Sequence, residues 1–336
     1  MSLFAFAPSP GPRWPLATQA ALGIAVPIAV MTLLGEASLG YVAASGAFTV
    51  LFAGSAAVVD RARVLPFVAA GLLASAALGA LTAGDDLLAG IGVVVVAVVS
   101  AALSFGFRLG PPGPLFFVLV FGLSGHVLDT GAISPVRYLT ALASGCLFSY
   151  LVAMTPLVLA RTRATTARPL RELLPGPALT ADSRLLLLRV AIVAVLGVLL
   201  GIVIDPERTY WIVGSGIAVI GVAAARRAAL HRGMHRMLGT VLGAGLYLVL
   251  SLLHPAGLWL AVLLGALQFT IELVVVRNYA LALVFITPLV LLLTGAATGS
   301  IGSTDIAIER IIDTVVGAAL GAASGILHPR PGNNRP

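Results

Sequence analysis

The sequence predicts an all-α polytopic membrane protein with about 12 transmembrane helices in two parallel six-helix repeats. Three observations predict it. The 336 residues are 59% hydrophobic and 10% charged, with a mean hydropathy of +1.07, against about 45–50% and about 25% in ordinary globular chains. Apolar runs of membrane-spanning length recur along the chain, as at 185–204 and 256–271. The basic residues, all arginine, collect on alternate loops. So little charge cannot cover the surface of a soluble protein of this size.

Taken in order, the first six predicted spans are 16–34, 39–59, 64–82, 87–107, 114–127 and 135–160. The polar stretch 161–184 follows, interrupted by Pro169, Pro175 and Pro177, and reads as a linker. The second six are 185–204, 209–225, 237–253, 258–276, 279–293 and 306–327. Helix is the reading for all of them, because backbone in hydrocarbon must satisfy its own hydrogen bonds. Barrel strands would instead appear as alternating segments of about ten residues. The organisation is an N-terminal segment 1–15, a first repeat 16–160, the linker 161–184, a second repeat 185–327 and a tail 328–336. The first 15 residues hold one Arg and four Pro, without the apolar centre of a cleaved signal peptide.

The loops orient the spans. With the N-terminus inside, 17 of the 20 Arg fall on the inner side and only Arg137, Arg208 and Arg310 on the outer. The outer side receives Glu36, Asp85, Asp86, Asp129, Asp205, Glu207, Asp305 and Glu309. A missed span would scramble this partition, so both termini and the linker are expected in the cytoplasm. Arginine held in short loops between apolar runs reads as topology and not as a nucleic-acid-binding face. Cys146 is the single cysteine, which excludes intramolecular disulfides and multi-cysteine metal sites.

The two halves share features in the same order. Isolated arginines, Arg108 and Arg277, end the fourth span of each half, 169 residues apart. Arg137 and Arg310 open the sixth, 173 residues apart. A parallel repeat implies a pseudo-two-fold axis along the membrane normal.

Ionisable groups inside spans are the candidates for function. Asp313 stands three residues after Arg310, on a shared helix face where the two can pair. The face continues through Gly317, Gly321 and Gly325, a small-residue stripe suited to close helix packing. Asp313 thus reads either as a proton or substrate group or as half of a structural ion pair. Glu272 follows Gln268 by four residues and precedes Arg277 by five; a transport role and simple snorkelling to the membrane surface both fit. Arg189, with Gly197 and Gly201 on its face, reads as a site residue or an anchor. His126 could titrate near neutrality. His231 and His235 have the i, i+4 spacing of metal ligands, yet the arginines around them favour plain loop polarity. The chain carries no P-loop and no catalytic constellation, so no enzyme and no cofactor is expected.

The second half resembles the membrane domain of the fusaric acid resistance / aromatic acid exporter family. The resemblance rests on Thr209-Tyr210-Trp211, on Arg236-Met237-Leu238-Gly239-Thr240-Val241-Leu242-Gly243, on Arg277-Asn278-Tyr279-Ala280-Leu281-Ala282 with Thr287-Pro288-Leu289, and on Arg310-Ile311-Ile312-Asp313-Thr314-Val315-Val316-Gly317. The first half matches loosely, through Arg137-Tyr138-Leu139-Thr140. The resemblance implies a proton-linked inner-membrane exporter of aromatic or other small organic acids. It marks Trp211, Arg236, Arg277, Asn278, Tyr279, Thr314 and Gly317 as motif positions. Many members carry a large cytoplasmic domain between the halves, where this chain has only its linker. The partners expected are the lipid bilayer and a small organic acid, with a homo-oligomer left open. A non-transporting scaffold of an envelope complex is the alternative.

Overall fold

The computed structural model describes residues 6–8, 11–163, 165–221 and 226–328. Among these the regular structure is all helical. The first set comprises α1 (Trp14–Leu33), α2 (Ala37–Ala44, continued by a 3-10 helix Ser45–Leu51), α3 (Val58–Thr82), α4 (Asp86–Gly106), α5 (Leu115–Asp129) and α6 (Pro135–Met154). After two single turns, Ala160–Arg163 and Leu170–Leu173, come α7 (Ala181–Ile204), α8 (Thr209–Ile220), α9 (Arg226–Ser251), α10 (Gly257–Val274), α11 (Tyr279–Thr298) and α12 (Thr304–Ala323).

Polar residues ahead of the apolar runs start the helices. Asp85, Ser134, Thr180, Asn278 and Ser303 each accept a backbone N–H of the first turn of α4, α6, α7, α11 and α12, satisfying donors that helix geometry leaves unpaired.

Among the described residues, eight helices are long and apolar enough to cross a membrane: α1, α3, α4, α6 with its extension to Val158, α7, α9, α10 and α11. Of the 12 expected spans, these eight meet that measure of length and composition. The other four differ for physical reasons. The run predicted as 39–59 breaks from α to 3-10 geometry at Ser45 and ends at Leu51. α5 has 15 residues and α8 has 12, rising about 22 Å and about 18 Å where the hydrocarbon core is about 30 Å thick. α8 stops at Gly221, whose φ of 58° and ψ of −144° suit glycine alone; 222–225, the end of that predicted span, lies outside the described residues. α12 has 20 residues but carries Asp305, Glu309, Arg310 and Asp313 in its first half. His231 and His235, read as loop residues, lie within α9. Of the predicted tail, only His328 is described.

The packing pairs run in step through the two sets. In the first, α1 meets α2, α2 and its 3-10 extension meet α6, α3 meets α5 and α6, and α4 meets α5. In the second, α7 meets α8, α8 meets α12, α9 meets α11 and α12, and α10 meets α11. Between the sets, α1 packs on α10 and α4 on α7, while α5 meets α8 and α2 meets α11.

Glycines set the closest crossings. A Cβ on Gly145 of α6 would lie 1.9 Å from the Ala43 carbonyl oxygen of α2, and one on Gly317 of α12 would lie 2.1 Å from the Ile212 oxygen of α8. The stripe from Gly317 through Gly321 is buried against α8, as its spacing predicts.

Extended segments lace one end of the bundle. Ala7 N–H donates to the Arg277 carbonyl at 2.9 Å, and Ala178 N–H of the linker donates to the Gly106 carbonyl at 3.3 Å. Asp60 on α3 holds the linker through Arg168, accepting from its backbone N–H at 2.9 Å and from Nε at 2.8 Å.

The backbone oxygen opposite Gly317 cannot retreat without moving α8. Gly317→Ala is therefore expected to lower the stability of the purified protein by roughly 1–3 kcal/mol through overpacking. Gly245→Ala, where nothing lies within 4 Å of the new methyl, should leave the thermal transition unshifted or raise it, since Ala favours the helix. Equal transitions for the two variants would refute the close crossing.

Candidate functional site

α8 is too short to span, so its first turn and the Pro206–Arg208 3-10 turn before it meet the first half of α12 inside one end of the bundle. Polar chemistry concentrates there. Asp313 and Thr314 are fully buried, and Arg310 is 4% exposed. Tyr210 and Trp211 are buried beside them.

The Arg310 guanidinium carbon lies 4.6 Å from the centre of the Trp211 ring. Its Nε and Nη1 find no acceptor. Stacking on Trp211 compensates part of the charge, but the N–H donors remain unspent. Arg208 stands 5.5 Å from the same ring, forms an ion pair with Glu309 and lies 3.6 Å from Asp205. Arg236 reaches in from α9, donating from Nη1 to the Tyr279 hydroxyl at 2.9 Å and from Nη2 to Ser215 Oγ at 3.2 Å. Its charge is felt at Arg310.

The ion pair expected between Arg310 and Asp313 is not formed within 4 Å. Their shared face does bring both inside, but Arg310 turns onto the Trp211 ring while Asp313 turns to Asp205. Asp205 and Asp313 are neighbours, each carboxyl feeling the charge of the other. Neither Asp313 oxygen, nor Asp205 Oδ2, receives an N–H or O–H donor. Tyr210 Oη is likewise unpartnered. Asp205 lies outside the spans, and burial pushes its carboxyl above the usual carboxylate range, against the pull of the Arg208 guanidinium.

A cavity of about 290 Å³ adjoins this cluster, with His126 of α5, Arg208, Tyr210, Trp211, Thr294 and Thr298 among its walls. It joins side chains from both helical sets.

The remaining sequence candidates are elsewhere. Glu272 lies at the opposite end, where its Oε2 and backbone oxygen accept from Arg13 Nη2 and Nε, each at 2.9 Å. Gln268 Nε2 donates to Glu272 Oε1 at 3.3 Å. Together they tie the start of α1 to the end of α10. Arg189 is fully buried and donates to Ser324 Oγ at 3.1 Å and to the Gly321 carbonyl at 3.5 Å, holding the last turn of α12; a cation suits that terminus. Asn278 Oδ1 caps α11, accepting from Leu281 N–H at 3.0 Å. Arg277 holds the N-terminal segment, donating to the Ala7 carbonyl at 3.3 Å and lying 5.3 Å from the Phe6 ring.

The structure thus gathers Arg310, Asp313, Thr314, Trp211, Arg236 and Tyr279, and leaves Glu272, Gln268, Arg189 and Arg277 outside. It adds Asp205, Arg208 and Tyr210. The run Asp205-Pro206-Glu207-Arg208-Thr209-Tyr210-Trp211 held the signal, since three charges directly precede two aromatics.

Residues 190–324 match the family described as fusaric acid resistance protein-like. The chain is also similar to an uncharacterized membrane protein, YvaC, of Bacillus subtilis (strain 168), at 36% identity over 120 residues. That match covers 36% of this chain and 19% of YvaC. No solved structure matches. The family match covers the site elements α8, α9, α11 and α12 in full, where the sequence motifs carried the resemblance.

The partly buried Arg13–Glu272 contact should behave as a tie between helices. Arg13→Ala and Glu272→Ala are each expected to destabilise the purified protein, and the double variant should reveal a coupling of roughly 0.5–3 kcal/mol in thermal or denaturant unfolding. Strict additivity would show that the tie carries no energy.

Proposed function

We propose that the chain is an integral membrane transporter, a proton-linked exporter of small aromatic or other organic acids. One observation carries this reading. A buried guanidinium with unspent N–H donors lies on an indole ring that walls a cavity of about 290 Å³. A carboxylate accepts from such a fork with charge-assisted hydrogen bonds, and an aromatic ring attached to it finds Trp211 and Tyr210. The family match and the apolar helices support a membrane transport protein. Family members carry the aromatic acid chemistry, which is extended here to this chain.

The architecture proposed is two parallel repeats, 16–160 and 185–327, each of six helical elements, joined by the linker 161–184. The packing pairs that run in step through the two sets support it, as do the matching crossings at Gly145 and Gly317. α2 with its 3-10 extension and α8 occupy the second place of each repeat. The proposed setting is a bacterial plasma membrane with termini and linker in the cytoplasm, supported by the arginine partition.

Two experiments test this. In a Cys146→Ser background, cysteines at Asp85 and Asp305 should react in intact cells with an impermeant thiol reagent, and one at Thr166 should stay protected; the reverse pattern overturns the orientation. In a deletion strain complemented with the protein, intracellular benzoate should fall relative to the uncomplemented strain. Arg310→Gln should slow that efflux roughly 10–100-fold, the loss of about 1.5–3 kcal/mol from a charged hydrogen bond. Unchanged efflux with Arg310→Gln or Asp313→Asn, at normal membrane abundance, would leave a scaffold role instead.

A further inference from the structure

Arg208 and Glu309 each stand one residue ahead of a segment that carries the family resemblance, Thr209-Tyr210-Trp211 and the run from Arg310. The sequence offers them only as outer-side charges, and the structure pairs them. Arg208 Nη1 meets Glu309 Oε2, and an Asp205 carboxylate oxygen lies 3.6 Å from the same nitrogen. The Arg208 guanidinium carbon stands 5.5 Å from the centre of the Trp211 ring, the same indole that carries Arg310. Arg208, Tyr210 and Trp211 wall the cavity of about 290 Å³, whereas Arg310, 4% exposed, is not among its lining residues. An anion in the cavity therefore meets Arg208 before Arg310.

The position already holds a carboxylate on an aromatic surface, because Glu309 supplies one. A guanidinium grips such a group through charge-assisted hydrogen bonds. The two acids on Arg208 are held unequally. Asp205 is 11% exposed and sits three residues from Arg208 on the same turn. Glu309 reaches across from α12 and its side chain is 40% exposed, against 15% for Arg208. An exposed acid gains little from its pair and can turn outward. A buried cation left without it needs a replacement. Glu309 is thus the exchangeable partner.

We propose that Arg208, on the Trp211 ring, is the first binding station for the substrate carboxylate, and that Glu309 is a built-in competitor which the substrate displaces. The proposal rests on the cavity being an organic-acid site. One carboxylate replaces another on Arg208 while Asp205 stays in place, and no covalent bond changes. The arriving aryl group finds Tyr210 and Trp211 in the cavity wall. The volume stands at the lower end of the range for ligand sites, about 300–1,000 Å³, which favours a small acid. From Arg208 the anion's next contact is the unspent N–H donors of Arg310 on the same indole.

Trp211 reports the exchange directly. In purified full-length protein carrying Trp14→Phe and Trp259→Phe, Trp211 is left of the three tryptophans, and its fluorescence is titrated with benzoate at neutral pH. Glu309→Gln weakens the competitor, so benzoate should bind roughly 3–10-fold more tightly, the scale of one net hydrogen bond. Asp305→Asn removes an equal charge from an exposed position one turn away on α12 and should leave affinity within about twofold, being screened by salt. Arg208→Gln should weaken binding roughly 10-fold, and adding Glu309→Gln to it should restore nothing. A misfolded protein cannot gain affinity, so the comparison of Glu309→Gln with Asp305→Asn decides even where Arg208→Gln does not fold. No gain from Glu309→Gln, or an equal gain from Asp305→Asn, overturns the displacement; loss of the response with Arg310→Gln would then still keep the organic-acid site. No Trp211 response in any of these proteins removes that site and the proposal with it.

Discussion

The backbone contact between α8 and α12 sets the geometry on which the rest of the cluster depends. With no side chain at Gly317, α12 settles against the Ile212 carbonyl. One turn towards the α12 N-terminus that closeness brings Asp313 towards the Asp205 turn, and two turns along it brings Arg310 onto the Trp211 ring. A wider crossing would leave a gap that water or lipid fills. Helices in hydrocarbon gain little from apolar burial against each other, so dispersion between closely fitted backbones does the holding. The same tightness that stabilises the bundle keeps polar groups dry.

Dry charge is costly. Insertion scales place a charged residue at mid-span about 2.5–3.5 kcal/mol above neutrality, and α12 carries several. The cost is offset locally by stacking on Trp211, by the Arg208–Glu309 pair and by the hydrogen bonds of Arg236 to Tyr279 and Ser215. Residual donors on Arg310 and acceptors on Asp313 stay unsatisfied. Buried unsatisfied groups are costly in any fold. At the opposite end, Arg189 and Glu272 have conventional partners and hold helices together.

Much of this was legible in the residues. The period-four glycines after Asp313 identify a packed face because side chains at that spacing overlie one another on a helix, and the structure buries that face. The resemblance rested on motifs in the second half, where the family match also falls. The Arg310–Asp313 partnership failed because spacing fixes only a shared face; tertiary neighbours choose the rotamer. Asp205 was invisible for a related reason: an acid beyond a span reads as topology until the chain folds it back. Helix lengths were less legible, because hydropathy does not register where an apolar run changes helix type, as at Ser45, or turns at a glycine, as at Gly221.

The lacing of the chain at one end has a mechanical consequence. Ala7 is bonded to the α10–α11 connection and the linker to the end of α4, while Arg13 is bonded to Glu272. Each leading segment thus clasps the neighbour that its own first helix packs against, so the two halves are buttoned together reciprocally. Bodies joined at one rim behave as the arms of a clothes-peg: little travel at the fastened edge, most at the free one. The Asp205–Asp313 pair and the cavity stand away from the fastened edge, where a small tilt of either half translates into the largest change of gap.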